Sequence, residues 1–508
     1  METLSNLAMG FGSTLSPSNL LFCFLGVTIG TFVGVLPGLG PLAAISLCLP
    51  LTYYLDPTTA LIMLAGIFYG AQYGSSTASI LLNIPGTATA AVTCLDGYPM
   101  TQQGKAGQAL LITTLTSFFG GSFAIILVIA LAPVISDFAM NFSSAEYFSV
   151  MLLGLVAAST LSVGSPVKGF VMVIAGLALS MIGTDKYTGQ YRFTFGDLNL
   201  AEGISIVALS MGLFGVSEIL SSFAGSGPVT LKANTVRLRD MMPTRAELKR
   251  TVFPAVRGAS IGSVIGAMPG AGPALASYLA YAAETQVSKT PEKFGTGMIE
   301  GISAPEAANN ASVQTAFIPT LTLGVPGDVV MAVLIGALMI HGITPGPDFI
   351  SGHAPMFWGL VASFWIGNVM LLILNIPLIG IWVRMLSIPP RILYPIMIVL
   401  VCVGVYSIRN NIFDIYIMLG CGVVGYVLTL FNFPTAPLLL GFVLGPLMEQ
   451  HLRRALLLGR GDPMTFVDRP LSLAFLIVCA LLILRFIPGC NLKTLRKIWR
   501  PRLRDDIE

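Results

Sequence analysis

Four Pro-Gly pairs interrupt apolar segments of this sequence, and they mark places where backbone groups become available for binding. The pairs are Pro37-Gly38, Pro85-Gly86, Pro269-Gly270 and Pro326-Gly327. Proline removes a backbone donor and clashes with the preceding turn, and glycine tolerates a positive φ, so each pair is predicted to end a helix. Such breaks survive in hydrocarbon only inside protein or beside a wet cavity. Helix N-termini at a break favour anions, and free carbonyl groups there can bind Na⁺.

Hydroxyl and amide side chains crowd the second break of each half of the chain. They supply neutral donors for carboxylate oxygens and acceptors for a hard cation. The candidate substrate ligands are Ser75, Ser76, Thr77, Asn83, Pro85, Gly86, Thr87, Asn309, Asn310, Thr322, Pro326 and Gly327. Alternatively, each small residue only lets helices pack closely. The pairing of the two clusters favours a binding site.

Two carboxylates lie beside the second cluster, and charge among apolar segments is a functional signal. On a helix, Glu306 would share one face with Asn309 and Asn310. Glu306 could bind a cation, carry a proton or be a hydrogen-bonded residue of a loop, and Asp328 could instead cap a helix predicted at 329–340. The candidate ligands of a coupling ion are Gly38, Gly40, Gly270, Gly272, Glu306 and Asp328.

The spacing of Cys and His residues does not favour an enzyme active site or a metal centre. None of the seven Cys forms a C-x-x-C pair, and the three His are not near neighbours. We therefore expect free thiols that pack as small hydrophobic groups, no catalytic residue, no cofactor and no metal centre. Na⁺ remains a candidate ligand of the polar cluster described above.

The elements that must position these residues are membrane helices. Hydrophobic residues make up 55% of the 508 and charged residues only 10%, against about 25% charged in ordinary globular proteins. Mean hydropathy is +0.83. Apolar runs of spanning length recur along the chain. They predict an all-α polytopic membrane protein with about 10 to 14 transmembrane helices plus re-entrant or broken helices.

The two halves of the chain carry the same markers in the same order. Three pairs of markers match, at offsets of 232, 241 and 248 residues: Gly34–Pro41 with Gly266–Pro273, Pro85 with Pro326, and the uncharged run 107–135 with 355–383. We predict two homologous transmembrane repeats, 1–220 and 251–448. A basic cytoplasmic linker, 221–250, would join them, and 449–508 would form a loop, a last transmembrane helix and a basic cytoplasmic tail.

Charge predicts the orientation of the repeats. Lys and Arg concentrate in the linker and in the tail from Arg485, which places both on the cytoplasmic side unless they serve anionic lipid or a partner. The N-terminus has no basic residue, and the loop 184–202 is aromatic and mildly acidic, so both are predicted to lie outside. An odd number of crossings in the first repeat then gives inverted topology, with a site near the midplane of the membrane.

Several long motifs carry a resemblance to a known family. They are Gly34–Pro41, Tyr73–Gly86, Leu95–Met100, Ala304–Ala311, Pro319–Gly327 and Gly441–Gln450 with its continuation Leu452–Leu456. These stretches resemble the large membrane subunit of tripartite tricarboxylate transporters, the TctA family. The resemblance runs along almost the whole chain.

The resemblance implies a multi-pass protein of the bacterial inner membrane. It would be the large permease subunit of a binding-protein-dependent secondary active transporter for citrate-like di- and tricarboxylates or related organic acids. It implies a TctB-like small membrane subunit and a TctC-like periplasmic solute-binding protein as partners, in the lipid bilayer and without nucleic acid. A Na⁺ or H⁺ gradient would drive uptake, and the sequence has no G-x-x-x-x-G-K-[ST] loop for ATP.

Two positions depart from the family pattern. Ser75–Ser79 holds no cation where some members carry Arg, and Asp328 replaces a small neutral residue. Both lower the positive charge at the site, which disfavours trivalent citrate or requires a bound cation. The alternatives are a channel, a stand-alone carboxylate carrier, and an intramembrane aspartyl protease-like enzyme. For that enzyme the second Asp of the dyad is missing.

Overall fold

The computed structural model describes residues 2–36, 40–161, 165–185, 187–224, 241–385 and 390–484. These ranges are helical almost throughout. A short antiparallel hairpin pairs β1 (Gly183–Thr184) with β2 (Tyr191–Arg192). The predicted all-α fold class is therefore confirmed. Most of the basic residues of the predicted linker and tail, and the break at Pro37-Gly38, lie outside the described residues.

Ten helices precede the linker and twelve follow it in the described part of the chain. The first ten are α1 (Glu2–Thr14), α2 (Pro17–Val35), α3 (Pro41–Thr52), α4 (Pro57–Leu82), α5 (Ala91–Gln102), α6 (Ala106–Ala139), α7 (Ser144–Leu161), α8 (Pro166–Ser180), α9 (Ile206–Ser210) and α10 (Ser217–Ala224), the last two joined by the π-turn Met211–Val216. The others are α11 (Arg245–Gly266), α12 (Gly272–Val287), α13 (Ile299–Thr315), α14 (Phe317–Thr322), α15 (Val329–Ile340), α16 (Asp348–Gly352), α17 (Ala354–Asn375), α18 (Ile379–Met385), α19 (Pro390–Arg409), α20 (Ile412–Leu430), α21 (Ala436–Leu458) and α22 (Pro470–Leu484).

Apolar composition and length identify the membrane helices. Within the described ranges, four helices, α2, α6, α17 and α20, are both long and apolar enough to cross a bilayer. Six shorter apolar segments accompany them: Pro41–Thr52, Ser144–Thr160, Pro166–Ser180, Ile206–Ser221, Val329–Ile340 and Pro470–Leu484. The chain is therefore a multi-pass membrane protein, and the number of crossings stays a prediction.

Glycines at four-residue spacing bring pairs of helices into backbone contact. On α2 they face α4, and a methyl group added to Gly30 would overlap the carbonyl oxygen of Ile67. On α11 they face α13, and a methyl on Gly262 would overlap the carbonyl oxygen of Ala308. Small residues of this kind let helix backbones approach closely in membrane proteins.

These two helix pairs have equivalent contacts. Gly30 and Gly262 are 232 residues apart, and their partners Ile67 and Ala308 are 241 apart, the same offsets that the sequence markers show. Asn83 and Gly324, again 241 apart, both have left-handed backbones, with φ of 58° and 67°. The pair α2–α4 therefore packs as α11–α13 does. The boundaries of the repeats and their inverted orientation stay predictions.

The centre of the molecule is a polar helix. Every residue of α13 except Glu300 is buried, although the helix carries Glu306, two Asn and a Gln. It packs against α4, α5, α6, α11 and α12. A second group of helices, α7, α8, α21 and α22, packs together beside it, and α15 contacts both α4 and α21. The helices around α13 are therefore the ones that position its polar side chains.

Close packing of α11 on α13 should be sensitive to one added methyl. Gly262→Ala places that methyl on the Ala308 backbone, so we expect a loss of about 1–3 kcal/mol of stability. Gly420→Ala on α20 is the control, because its methyl would meet no described atom within 4 Å. Thermal unfolding of the purified proteins in detergent measures both. Equal melting temperatures for the two variants would contradict this account of the helix pair.

Candidate functional site

Three of the four predicted Pro-Gly breaks lie in the described residues, and each lies between helices, as predicted. Pro85-Gly86 lies between α4 and the 3₁₀ turn Ala88–Ala90 that precedes α5, Pro269-Gly270 lies between α11 and α12, and Pro326-Gly327 lies between α14 and α15. Asn83 ends α4 in a left-handed conformation, with its backbone N–H bonded to the Ser79 carbonyl. Each pair therefore starts a new helix N-terminus.

The two breaks of the second half touch one another. The N–H of Gly270 donates to the carbonyl of Gly327 at 3.0 Å. Gly270 and Gly272 have left-handed backbones, with φ of 78° and 69°, which only glycine adopts without strain. The N–H of Gly327 donates to Thr320 Oγ1 at 3.2 Å. Backbone groups released by the breaks are thus partly satisfied by the breaks themselves.

The two halves also meet next to these breaks. Helix α12, which begins after Pro269-Gly270, contacts the 3₁₀ turn that comes after Pro85-Gly86. In that turn Thr89 donates to Gln72 Oε1 at 2.8 Å, and its hydroxyl lies 2.7 Å from that of Thr87. The polar residues after the first-half break therefore lie beside α12.

The candidate substrate ligands fall into distinct environments. Ser75 and Thr322 are buried, but their hydroxyls donate to carbonyls of their own helices at 2.8 and 2.7 Å. Asn83 and Pro85 are exposed. Ser76 and Thr77 lie inside α4, and Asn309 and Asn310 lie inside α13; all four are buried. At the breaks themselves, Gly86, Thr87, Pro326 and Gly327 are buried or half-buried. The structure thus brings most of the predicted set into the protein interior.

The side chain of Asn309 is buried without any hydrogen-bond partner among the described residues. It is 1% exposed, and neither its Oδ1 nor its Nδ2 has a hydrogen-bond partner in the part of the chain described here. Ser312 Oγ and Gln314 Oε1 of α13 and Ser263 Oγ of α11 are likewise without partners among the described residues. Buried polar groups are nearly always hydrogen-bonded, so this region of α13 is suited to receive a polar ligand.

Glu306 lies in the middle of α13, so the loop interpretation of this residue is wrong. It is 1% exposed. Its Oε1 accepts from Thr93 Oγ1 of α5 at 2.5 Å, and its Oε2 accepts from Ser117 Oγ of α6 at 3.3 Å. Asn310 Nδ2 donates to the Glu306 carbonyl at 3.1 Å, which confirms the shared helix face. Three helices therefore converge on this carboxylate.

Thr93 and Ser117 are functional candidates that the sequence analysis missed. Thr93 lies seven residues after Gly86, and Ser117 is one of several hydroxyl residues in the uncharged run 107–135. Neither belonged to a predicted cluster. Their approach to Glu306 joins residues 213 and 189 positions apart in the chain. No local pattern could have shown this contact.

Asp328 caps the N-terminus of α15, which is one of the two roles that the sequence allowed for it. Its Oδ1 accepts from the Met331 N–H at 2.8 Å at the N-terminus of α15. Gly272 lies against its side chain. Gly40 is the residue before α3, with an extended backbone, and Gly38 lies outside the described residues. A role of Gly38, Gly40, Gly270, Gly272 or Asp328 in binding an ion stays a prediction.

Asp96 holds α5 in place. This buried carboxylate accepts three backbone N–H groups through Oδ1, from Gly295 and Gly297 at 2.9 Å and from Met298 at 2.7 Å. Its Oδ2 accepts from the Tyr281 hydroxyl at 3.0 Å. Asp96 thus joins α5 to α12 and to the segment before α13, and the same helix carries Thr93 one turn earlier. In the sequence it belonged only to a family motif.

The contacts of α12 place Asn309 level with the N-terminus of that helix. Ser277 donates to the Pro305 carbonyl at 3.4 Å. Tyr281, one turn further along α12, reaches Asp96, which binds the segment before α13. The two helices therefore run antiparallel, and Asn309 is level with the first turn of α12. Helix N-termini favour anions, so Asn309 and α12 together offer neutral donors to a negative group.

No side-chain cation accompanies these groups in the described residues. The ion pairs found there are Lys105–Glu247, Arg192–Glu449, Arg250–Glu300, Arg257–Glu284, Arg453–Asp185, Arg453–Glu449 and Arg469–Glu146. Neither Glu306 nor Asp328 takes part in one. The structure thus agrees with the low positive charge that the sequence indicated.

A separate charged network fastens the hairpin in the loop 184–202. Arg192 binds Glu449 of α21 through both carboxylate oxygens, at 2.9 and 3.2 Å. Asp185 accepts from the Tyr187 N–H and from Arg453, each at 2.9 Å. The backbone N–H of Tyr187 and the Arg453 guanidinium lower the pKa of Asp185 to about 2. The family motif around Glu449 and Arg453 therefore anchors this loop.

A model of the tripartite tricarboxylate transporter TctA family matches residues 20–440. The chain is also similar to two proteins of Agrobacterium vitis. An uncharacterized 52.8 kDa protein in the TAR-I ttuC' 3' region is 47% identical over 494 residues, which cover 97% of this chain and 98% of that protein. An uncharacterized protein in the TAR-II ttuC' 3' region is 52% identical over 226 residues, 44% of this chain and 93% of that protein.

Asp96→Asn should loosen α5. The amide carries one acceptor oxygen and turns the other position into a donor, which then faces the Tyr281 hydroxyl or the backbone N–H groups. We expect a loss of about 1–3 kcal/mol, as for buried charge-assisted hydrogen bonds. Asp137→Asn on α6 is the control, because that residue is exposed. Thermal unfolding compares them, and an unchanged melting temperature for Asp96→Asn would refute this role.

The hairpin β1–β2 should remain folded between pH 7.5 and pH 5.5. The lowered pKa means that Asp185 stabilises the folded loop above its ordinary pKa of about 4 and loses this effect only as the pH falls toward 2. Hydrogen exchange of 183–203, corrected for intrinsic rates, should therefore be alike at pH 5.5 and 7.5. Asp185→Asn should speed exchange at both values. A hairpin that opens between pH 7.5 and 5.5 in the unsubstituted protein would contradict this.

Proposed function

We propose, since the chain belongs to the tripartite tricarboxylate transporter TctA family, that it is the large permease subunit of a binding-protein-dependent secondary active transporter for di- or tricarboxylates. The family is one of transporters, and we propose no enzymatic role. The observation that supports the substrate class is Asn309, a fully buried amide without a partner in the described residues, level with the first turn of α12.

The substrate carboxylate would bind neutral donors rather than Arg or Lys. The amide of Asn309 and the N-terminus of α12 offer such donors, and the turn after Pro85-Gly86 contacts the same helix. Thr87 and Ser76 complete the proposed site with hydroxyls. Neutral hydrogen bonds and helix dipoles are used in this way for anionic substrates at broken helices.

The charge of such a site calls for a coupling cation. An organic dianion bound without an opposing side-chain charge would be costly to bury. A Na⁺ ion or a proton that travels with the substrate offsets this charge and links uptake to a gradient. Glu306, Gly270, Gly272 and Asp328 are the proposed ligands, together with Gly38 and Gly40 by analogy of position.

The proposed assembly has three protein parts in the bacterial inner membrane. This chain would form the transport pathway, a TctB-like small membrane subunit would accompany it, and a TctC-like periplasmic protein would deliver the organic acid. Family membership supports this arrangement. Inverted repeats would place the site near the midplane, where one block of helices moves against another.

Uptake into proteoliposomes tests the proposal. This chain and its small subunit are reconstituted, a Na⁺ or H⁺ gradient is imposed, and labelled di-, tri- and aromatic carboxylates are supplied with and without the binding protein. Accumulation that needs both the gradient and the binding protein supports the proposal and identifies the substrate. Equilibration without accumulation supports a channel or an uncoupled carrier instead.

Asn309→Ala should cut gradient-driven uptake by at least about tenfold, the loss expected for one hydrogen bond to a charged group. Asn375→Ala is the matched control, because Asn375 is also buried and has an unpartnered Oδ1 within the described ranges, but it lies on α17. Initial uptake rates are normalised to the amount of folded protein. Equal rates for the two variants would remove Asn309 from the proposed site.

A further inference from the structure

We propose that Glu306 binds one Na⁺ ion together with the hydroxyls of Thr93 and Ser117 and the amide oxygen of Asn310. We call this group of four residues the Glu306 site. The inference rests on the proposed function, because it identifies the coupling ion and its ligands. It goes beyond the sequence analysis, since Thr93 and Ser117 belong to none of the clusters identified there.

The first argument is charge. Glu306 is 1% exposed and forms no ion pair in the part of the chain that the structure describes. A buried carboxylate without an opposite charge is strongly disfavoured. Neutral hydroxyls reduce this penalty but do not cancel the charge. A bound monovalent cation does cancel it, whereas a divalent ion would leave one excess positive charge.

The second argument is the surplus of oxygen atoms. Thr93 Oγ1 and Ser117 Oγ each contact one carboxylate oxygen, at 2.5 and 3.3 Å. Each hydroxyl keeps lone pairs that a cation can use. Ser76 of α4 is a further hydroxyl beside the carboxylate. Hard cations are bound by such sets of carboxylate, carbonyl and hydroxyl oxygens.

The third argument is Asn310, which supplies an oxygen that needs a positive partner. It is 2% exposed, and its Nδ2 donates to the Glu306 carbonyl at 3.1 Å. The amide is therefore held back against the Glu306 turn, and its Oδ1 has no partner among the described residues. A proton on Glu306 can satisfy only one acceptor. A Na⁺ ion can accept several oxygen ligands at once, and we assign the free Oδ1 of Asn310 to it as the fourth ligand of the Glu306 site.

The site is also held in place from outside. Asp96 fixes α5 through three backbone N–H groups, which sets the position of Thr93 one turn away. Gly120 of α6 lies against the backbone of Ala307, which brings Ser117 to Glu306. The ligands thus come from helices whose spacing is already fixed, as a selective ion site needs.

Na⁺-dependent thermal stability of the purified full-length chain tests this site without any transport. NaCl is titrated against choline chloride at constant ionic strength, at pH 6, 7 and 8. A ligand that binds only the folded protein raises its melting temperature. We expect a saturable stabilisation by Na⁺ that Glu306→Gln abolishes. Thr93→Val should raise the half-maximal Na⁺ concentration at least about tenfold.

Thr160→Val is the matched control. It also removes a buried helical hydroxyl, one bonded to the Val156 carbonyl, but on α7. Its Na⁺ titration should equal that of the unsubstituted protein. Because Glu306→Gln retains the shape of the side chain and Thr93→Val the shape of Thr93, both variants are expected to fold, and the size-exclusion profile checks this.

Three results would overturn the inference. The melting temperature would be the same in NaCl and choline chloride, or Glu306→Gln would keep the full Na⁺ effect, or acid alone would stabilise the protein through Glu306, which would indicate a proton carrier. Gradient-driven carboxylate uptake combined with any of these would leave the proposed function intact. Na⁺ binding at Glu306 without carboxylate uptake would refute the proposed function instead.

Discussion

The burial of one carboxylate on a polar helix is the constraint on which the surrounding structure depends. Glu306 is shielded from solvent and forms no ion pair in the described residues, and its carboxyl group is bound by hydroxyls from α5 and α6. Ser117 comes within reach because Gly120 lets α6 approach the α13 backbone. Asp96 then holds α5 at the required distance. The close packing of the helices therefore also determines which polar side chains reach Glu306.

Helix breaks differ from helix bends in the residue that comes after the proline. Seven prolines lie beyond the first turn of described helices: Pro50, Pro99, Pro133, Pro254, Pro305, Pro395 and Pro446. The three predicted breaks that the structure describes instead lie in loops between helices. Proline alone loses one hydrogen bond, and neighbouring helices compensate for it in a membrane protein. A glycine after the proline permits conformations outside the helix, and Gly270 uses this freedom with a positive φ.

The sequence predicted the apolar helices well and the polar ones less well. Helix α15 covers 329–340 as expected, because its residues are almost all apolar. Hydropathy did not mark α13 as a membrane segment, since its composition is polar, yet it is the central helix. The Pro-Gly breaks were predictable because their mechanism is local. Thr93 and Ser117 were not, because their role depends on contacts between distant parts of the chain.

Glu306 and Asn309 of α13 have no polar counterparts at the equivalent positions of α4. The offset of 241 residues that relates Ile67 to Ala308 relates Ala65 to Glu306 and Phe68 to Asn309. Ala65 and Phe68 are fully buried and apolar. The first half thus repeats the helix pair without the carboxylate or the unpartnered amide. The proposed ion and substrate ligands on α13 therefore belong to the second half alone.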